Sequence, residues 1–316
     1  MCSFVVFSSD KLPLSDFNKA LKNVVHRGPD NTYCSIESGL SWGFNRLSIM
    51  DLSSNGNQPF KYSSCEVVCN GEIYNYNNLK ELLLPEYKFH SSSDCEVLIP
   101  MYLKYGIEIM CKMLDAEFAL VLYDGKNNSV IAARDPMGIR PMFYGYTKED
   151  HKISFASEAK ALIDYCEEIM PFPPGHYYKD GEFVCYNDLS ETKFINNDDL
   201  DTIFTNIRTK LIAAVEKRLH ADAPIGYLLS GGLDSSLVCS IAQRIIKRPI
   251  KTFAIGMDTD PIDLKYAKQA ADYLGTDHTE VIINKEDVLG ALDEVIYHLE
   301  TFDITTIRAS IGMYLL

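Results

Sequence analysis

The pattern of the chain changes near residue 190, and that change constrains the fold more than any single motif. Up to Tyr186, short runs rich in Val, Ile, Phe and Tyr are separated by turn signals. Residues 125–128 lie between the runs 118–123 and 130–133, Asp180-Gly181 between 177–178 and 183–184, and Asn70-Gly71 between 66–69 and 73–74. Asn-Gly and Asp-Gly pairs favour the tight turns whose twist matches antiparallel strands. Helical spacing is interleaved at 14–25, 94–105 and 158–165, so residues 1–186 predict an α+β domain of antiparallel sheet. The polar stretch 187–199, rich in Asn, Asp, Ser and Thr, reads as a linker. From residue 200 the pattern becomes helix 200–219, strand 225–229, helix 237–246, strand 252–255, helix 263–274, strand 279–283 and helix 285–299. Strands separated by helices pair in parallel through crossovers, so residues 200–316 predict an α/β segment with a small three-strand parallel sheet.

Composition narrows the function classes. With 47% hydrophobic residues among 316, each half can bury a core. A net charge of -14 argues against a nucleic-acid surface, which needs clustered Lys and Arg. Nine cysteines without a Cys-x-x-Cys pair indicate neither a zinc site nor a disulfide framework, and reduced cytosolic thiols are the simplest account. No run approaches the roughly 18 apolar residues of a membrane helix, and residues 4–7 are too short and lack the basic flank of a signal peptide. The expectation is a soluble cytoplasmic protein with small-molecule partners.

Two places carry chemistry. The run Ser230-Gly231-Gly232-Leu233-Asp234-Ser235-Ser236 sits between a predicted strand and helix. Adjacent glycines let backbone approach an anion, the helix start and the serine hydroxyls supply donors, and Asp234 is placed to hold a metal ion. A plain glycine turn with a Ser/Asp helix cap is the simpler alternative. At the other end, Cys2 follows Met1, so removal of the initiator leaves a thiol beside a free α-amine whose ordinary pKa of about 8 suits it to take the thiol proton. Asn70 and Gly71 offer a side-chain amide and a backbone N–H as a pair of oxyanion donors, while also fitting a hairpin turn. Arg46 has the geometry for a bidentate carboxylate clamp. Asp94 suits an ammonium group, or a helix cap. Together these groups match a free amino acid bearing a side-chain carbonyl.

The quoted residues also resemble a known family. Met1-Cys2-Ser3, His26-Arg27-Gly28-Pro29-Asp30, Asn45-Arg46-Leu47-Ser48-Ile49, Asn70-Gly71-Glu72-Ile73-Tyr74-Asn75 and Ser93-Asp94-Cys95-Glu96 are similar to the class II glutamine amidotransferase domain of asparagine synthetases. The segment from Arg134-Asp135-Pro136 to Arg140-Pro141 resembles one shared more widely by class II amidotransferases, and Ser230 to Ser236 resembles the pyrophosphatase loop of the synthetase half. The resemblance implies an N-terminal-nucleophile glutaminase of αββα layers with antiparallel sheets, followed by a partial α/β parallel-sheet synthetase domain. It implies catalysis by Cys2, Asn70 and Gly71, with glutamine held by Arg46, Leu47, Ser48, Ile49, Met50, Asn70, Gly71, Glu72 and Asp94. It further implies ATP at Leu229, Ser230, Gly231, Gly232, Asp234, Ser235 and Ile255, Mg2+ at Asp234, and aspartate or its adenylate at Thr305, Thr306 and Arg308. The reaction implied releases ammonia from glutamine and uses it to amidate aspartate through an aspartyl-AMP intermediate. The family's chains continue past Leu316, with a Ser-Gly-Glu-Gly-type loop and helices carrying a catalytic lysine. The expectation is therefore a complete glutaminase half and an incomplete synthetase half. A stand-alone glutaminase, or an ammonia-supplying subunit that pairs as a homodimer or with a complementing C-terminal synthetase half, remains the alternative.

Overall fold

A computed structural model describes the chain except residues 10, 38, 192–194, 196 and 260. It divides into two units, Met1–Ile195 and Asn196–Leu316. The linker read at 187–199 lies partly outside the described residues.

In the first unit the strands are β1 (Ser3–Phe7), β2 (Asn31–Glu37), β3 (Leu40–Arg46), β4 (Phe60–Tyr62), β5 (Cys65–Ile73), β6 (Ala116–Asp124), β7 (Ser129–Arg134), β8 (Phe143–Thr147), β9 (Ile153–Ala156), β10 (Cys166–Pro171), β11 (His176–Lys179) and β12 (Glu182–Cys185). The long helices are α1 (Leu14–Lys22), α2 (Tyr76–Leu83) and α3 (Leu98–Met113). Two six-stranded sheets form, ordered β10-β8-β9-β1-β3-β2 and β12-β11-β7-β6-β5-β4. The paired strands in both run antiparallel.

Strand alternation explains the layering. Phe4 and Val6 of β1 and Trp42 and Phe44 of β3 face Val68, Ala119, Val121 and Ala132 of the other sheet, and these side chains form the central core. Residues of opposite parity point outward. Val5 and Phe7 pack with Phe17, Ala20 and Leu21 of α1, whereas Val67, Cys69, Phe118, Leu120 and Leu122 pack with Leu79 and Leu83 of α2 and Leu98, Met101 and Met110 of α3. The result is four layers, αββα. Strands covered on both faces need apolar residues at successive positions, which is why every residue of β1 is buried. Each fully buried Phe, Leu or Val stabilises the fold by roughly 1.5–3 kcal/mol relative to an exposed one.

Two sequence expectations fail here. Asn70-Gly71 is not a hairpin turn: β5 runs straight through it, with Asn70 opposite Ala119 and Gly71 opposite Phe118 of β6. Burial between two layers outweighs the turn preference of the pair. Residues 158–165 contain only the 3-10 turn Ala159–Ala161, because Glu158 is extended and its carboxylate is engaged by Arg27 and Lys160. The turns at 125–128 and 180–181 do connect hairpins, β6 to β7 and β11 to β12, with Asp180 and Gly181 both at positive φ.

A buried carboxylate organises the chain after β7. Asp135, 1% exposed, accepts N–H bonds from Met137 (3.0 Å), Ile139 (3.0 Å), Arg140 (3.1 Å) and Phe118 (3.2 Å). Arg134 closes the same loop by donating to the carbonyls of Arg140, Phe172 and Gly138. Asp135→Ala is expected to cost about 3–5 kcal/mol, since buried donors lose their charged acceptor together. A urea midpoint within the error of wild type would contradict this.

The second unit carries β13 (Gly226–Leu228), β14 (Lys251–Met257) and β15 (Asp277–Ile283), paired in parallel in that order. Its helices are α4 (Leu200–Lys217), α5 (Leu233–Ile246), α6 (Ile262–Leu274), α7 (Lys285–Gly290), α8 (Leu292–Leu299) and α9 (Ile304–Leu315). Asp199 caps α4 by accepting from the Thr202 N–H. Helix α5 begins four residues earlier than its apolar spacing suggested, directly from Gly232. The single helix read over 285–299 is two, meeting at Ala291, the first fixed by a reciprocal cap between Asn284 and Asp287. No helix among the described residues is long and apolar enough to cross a membrane.

Candidate active site

Cys2 stands at the entrance to β1, so the core that buries β1 fixes where its thiol lies. Its carbonyl accepts from Arg27 Nε (3.1 Å), and Arg27 is in turn paired with Glu158 (3.0 Å), which also meets His26 and Lys160. The next residue is anchored as firmly. Ser3 Oγ donates to the Val24 carbonyl and accepts from Asn45 Nδ2. The Cys2 thiol faces the turn after β3: Leu47 N–H donates to Sγ (3.4 Å), and Sγ–H points at the Leu47 carbonyl (3.5 Å). Burial pushes the thiol pKa up, while the Leu47 N–H and the nearby terminal amine oppose that shift. Burial also pushes the pKa of that amine down, helped by Arg27 and Arg140. In this structure the amine belongs to Met1.

The cleft at Cys2 is lined by Arg46, Leu47, Ile49, Met50, Gly71, Glu72 and Asp94, and also by Gly56, Gln58, Cys69, Ser93 and Cys95. Most of the glutamine-binding residues inferred from sequence therefore converge on one place. Ser48 lies beside the cleft rather than on its wall, with its N–H donated to Asp30 (2.7 Å). Gln58, Cys69 and Cys95 went unassigned in the sequence reading, because a buried amide or thiol has no local signature.

Gly71 lines the cleft and Asn70 does not, and the two present their groups in different directions from one strand. Asn70 has the parity of Val68 and so points into the space between the sheets, as do Phe4 and Val6 just beyond Cys2. It is 1% exposed, and its Nδ2 is buried without a hydrogen-bond partner. Gly71 contributes backbone. Two residues earlier, Cys69 gives its N–H to Gln58 Oε1 (2.6 Å) and takes Gln58 Nε2 on its carbonyl (3.0 Å), along the edge turned away from β6. Residues i and i+2 of a strand point their N–H groups the same way, so that of Gly71 points along this edge into the cleft. No side chain fits at this position, since a Cβ would lie 2.6 Å from the Glu117 carbonyl and 2.8 Å from Phe118 Cβ.

The acidic wall is strongly perturbed. Asp94 does not cap the following helix; its carboxylate accepts from the Ile73 N–H (2.6 Å). Burial pushes its pKa up. Glu72 is pushed up to about 8, chiefly by burial and then by the negative charge of Asp94, with Arg140 opposing. An acid that binds its proton more tightly when folded contributes stability that is full below its unfolded pKa and lost as pH rises through its folded pKa. From the ordinary 4.5 to about 8, this pair therefore makes stability fall with rising pH. Glu72→Gln is expected to flatten that slope, being more stable than wild type at pH 8 and no more stable at pH 4.5. Parallel urea midpoints for the two proteins across that range would contradict the assignment.

Arg46 is 5% exposed, and its terminal nitrogens are already engaged. Nη1 donates to the Ser53 carbonyl and Asn57 Oδ1 (both 2.7 Å), and Nη2 to the Met50 (3.1 Å) and Asp51 carbonyls. It braces the 47–57 turn that forms one wall. Nearby, Arg140 pairs with Glu117 (3.1 Å), which also accepts from Tyr74 Oη (2.7 Å).

In the second unit, Leu229 is buried and Ile255 lies on β14. The loop between β13 and α5 has Gly231 at φ 78, against the backbone of Tyr266 and Ala267. Ser230 and Ser235 hydroxyls approach to 3.0 Å, and Ser235 Oγ also accepts from the Ser230 N–H (3.2 Å). Gly232 starts α5 with no side-chain cap, and Asp234 is in its first turn. Thr305, Thr306 and Arg308 are on α9, where Thr306 gives both its N–H and hydroxyl to Asp303. Among the described residues no three His, Cys, Asp or Glu side chains gather as a metal cluster.

Two family models match successive parts of the chain. Residues 1–177 match the glutamine amidotransferase domain model, and residues 206–316 match the asparagine synthase model. The chain is 42% identical over 305 residues to asparagine synthetase [glutamine-hydrolyzing] 3 of Arabidopsis thaliana, covering 92% of this chain and 52% of that one. It is 40% identical over 334 residues to asparagine synthetase [glutamine-hydrolyzing] 1 of Saccharomyces cerevisiae, covering 93% and 57%. The chain thus spans little more than half the length of these relatives. Among solved structures, the glutamine phosphoribosylpyrophosphate amidotransferase of B. subtilis is alike in fold, with a TM-score of 0.50 at 16% identity, covering 89% of this chain and 65% of that one. Through residues 1–177 the chain belongs to the glutamine amidotransferase domain family, and its similarity to glutamine-hydrolysing asparagine synthetases extends over most of its length.

Proposed function

We propose that the chain hydrolyses glutamine at Cys2 to glutamate and ammonia, as the amidotransferase part of a glutamine-hydrolysing asparagine synthetase. The observation that supports the reading is the unpartnered, buried Nδ2 of Asn70 beside the N–H of Gly71, two donors that the reading assigns to the oxyanion. Once Met1 is removed, the Cys2 amine takes the thiol proton and the thiolate attacks the side-chain carbonyl of glutamine. Ammonia leaves, and water resolves the thioester. Asp94 and Glu72 are suited to the substrate ammonium, because a neighbouring cation favours their charged forms. Arg46 meets the substrate carboxylate by exchanging one of its loop carbonyls.

For the second unit we infer ATP binding at Leu229, Ser230, Gly231, Gly232, Asp234, Ser235 and Ile255. The close-packed Gly231, the hydroxyls of Ser230 and Ser235 and the uncapped start of α5 support this. Asp234 is the residue that would hold Mg2+, which takes one or two carboxylates and completes its shell with phosphate and water, so a single carboxylate fits it. The ion would supply charge neutralisation on the leaving pyrophosphate. Aspartate, activated as its adenylate, would meet Thr305 and Arg308 on α9.

Intact mass of the purified chain and assays of glutamate, asparagine, AMP and pyrophosphate test both readings. Retained Met1 with no glutamate release defeats the first. Glutamate without ATP-dependent asparagine or pyrophosphate leaves the alternative of an ammonia-supplying subunit.

A further inference from the structure

The edge of β5 turned toward the cleft is held by a side chain one rung short of Gly71. Strand β4 pairs with β5 at Phe60–Val67, Lys61–Glu66 and Tyr62–Cys65, and continuing that register puts residue 58 opposite residue 69 and residue 56 opposite residue 71. The main-chain ladder does not continue: β4 begins only at Phe60, after Pro59, and Ser54–Gly56 is a 3-10 turn. At the 58–69 rung the Gln58 carboxamide takes over. Its Oε1 accepts the Cys69 N–H at 2.6 Å, and its Nε2 donates to the Cys69 carbonyl at 3.0 Å. A carboxamide carries the same neutral donor and acceptor as a peptide group, so both outward groups of Cys69 are satisfied without a strand beside them. Gln58 and Cys69 are 8% and 1% exposed, and buried backbone groups of this kind are costly to leave unpaired. One rung further, Gly71 and Gln58 line the cleft together.

We propose that Gln58 is a positioning residue for glutamine hydrolysis, which stands in for a strand at the last rung before Gly71. It fixes the β5 edge two residues before the Gly71 N–H, and the chain that a continued β4 would have laid against Gly71 turns away at 54–56. The donor is thereby held rigid and left open to substrate. Gln58 acts through Cys69, since both polar atoms of its carboxamide are engaged there. The inference rests on the reading of Gly71 as an oxyanion donor. Donors aimed in advance at developing charge act without reorganisation, and a misplacement of about 1 Å costs roughly a hundredfold in rate. Loosening Cys69 therefore lowers kcat and leaves KM near its wild-type value, because the oxyanion forms only after substrate has bound.

The test compares Gln58→Ala and Gln58→Glu with wild type, with kcat expressed per folded molecule. Gln58→Ala is expected to lower kcat about tenfold to a hundredfold with KM little changed. Gln58→Glu gives a readout that survives a folding defect in the alanine variant, because one folded protein is switched by pH. Its neutral acid offers Cys69 an O–H and a carbonyl, as the amide does, whereas its carboxylate only accepts and sets a negative charge against the Cys69 carbonyl. Burial raises a carboxyl above its ordinary pKa of about 4.3. The variant-to-wild-type ratio of kcat is therefore expected to recover at low pH and to fall toward the Gln58→Ala level as pH rises through that titration. A ratio that is flat with pH, an unchanged kcat in Gln58→Ala, or a loss confined to KM overturns the proposal. Amide hydrogen exchange separates the clamp from the glutaminase reading: in Gln58→Ala the Cys69 and Asn70 amides are expected to exchange faster while those of β1 do not. If wild type releases no glutamate while these amides respond, the glutaminase reading fails and the clamp on β5 stands. Unchanged exchange at Cys69 overturns the clamp itself.

Discussion

Cys2→Ala is expected to abolish glutamate release, lowering kcat by at least about three orders of magnitude, because the proposed reaction runs through the Cys2 thiol. The substitution removes one sulfur at the half-buried start of β1 and leaves the anchors on either side intact: Arg27 holds a backbone carbonyl, and Ser3 keeps its bonds to Val24 and Asn45. The variant should therefore unfold at a urea concentration close to that of wild type. Glutamine should still bind, since Arg46, Glu72 and Asp94 are untouched. A variant that folds normally and retains a tenth of the wild-type rate would mean that the thiol is not the nucleophile. Cys2→Ser gives a second check, because a hydroxyl of much higher pKa in the same place should also be nearly inactive.

The second large effect is expected at Asn70. Asn70→Ala should lower kcat by about 10²–10³ with little change in KM, because its Nδ2 acts on charge that develops only after attack. Stability should move the other way from most core substitutions, or hardly at all. In the free protein Nδ2 is buried and unpartnered, so removing it relieves a desolvation penalty that offsets the lost packing. Asn70→Asp should be inactive as well, since a carboxylate in that place repels an oxyanion. Loss of kcat accompanied by an equal loss of stability would indicate a structural role instead. Single-turnover kinetics with equilibrium denaturation decide between them.

Much of the lining of the Cys2 cleft was legible because it draws on residue types that stand out: a cysteine beside the initiator, the glycine of an Asn-Gly pair, an arginine and an aspartate in short polar runs. The hairpins at 125–128 and 180–181 were legible because their turns are local. What was not legible came from tertiary context. Asn70-Gly71 has a strong local preference for a turn, and only pairing with β6 and cover on both faces override it. Asp94 offers the same local signature whether it caps a helix or binds the Ile73 N–H, and distance along the chain hides the second option. The Arg27–Glu158 support joins residues far apart in sequence, while the brace around Arg46 and the Gln58 bonds to Cys69 run through irregular turns that no periodicity describes. In the second unit, the start of α5 was placed late because apolar spacing cannot see a turn whose first residues face outward.

Alternation along β5 gives the first unit a constraint on its history. Val67 and Cys69 serve the helix-covered layer, Val68 and Asn70 serve the space between the sheets, and Gly71 tolerates no side chain. A single inserted or deleted residue within β5 would exchange the two sets at once, turning Asn70 into the helical layer and a thiol into the space between the sheets. Such a lineage would lose its core and the amide held between the sheets in one step. Point substitutions can be tried one at a time in this strand, but its length cannot drift, and family members should differ in loops while keeping the count of residues between the strand's first paired position and the amide.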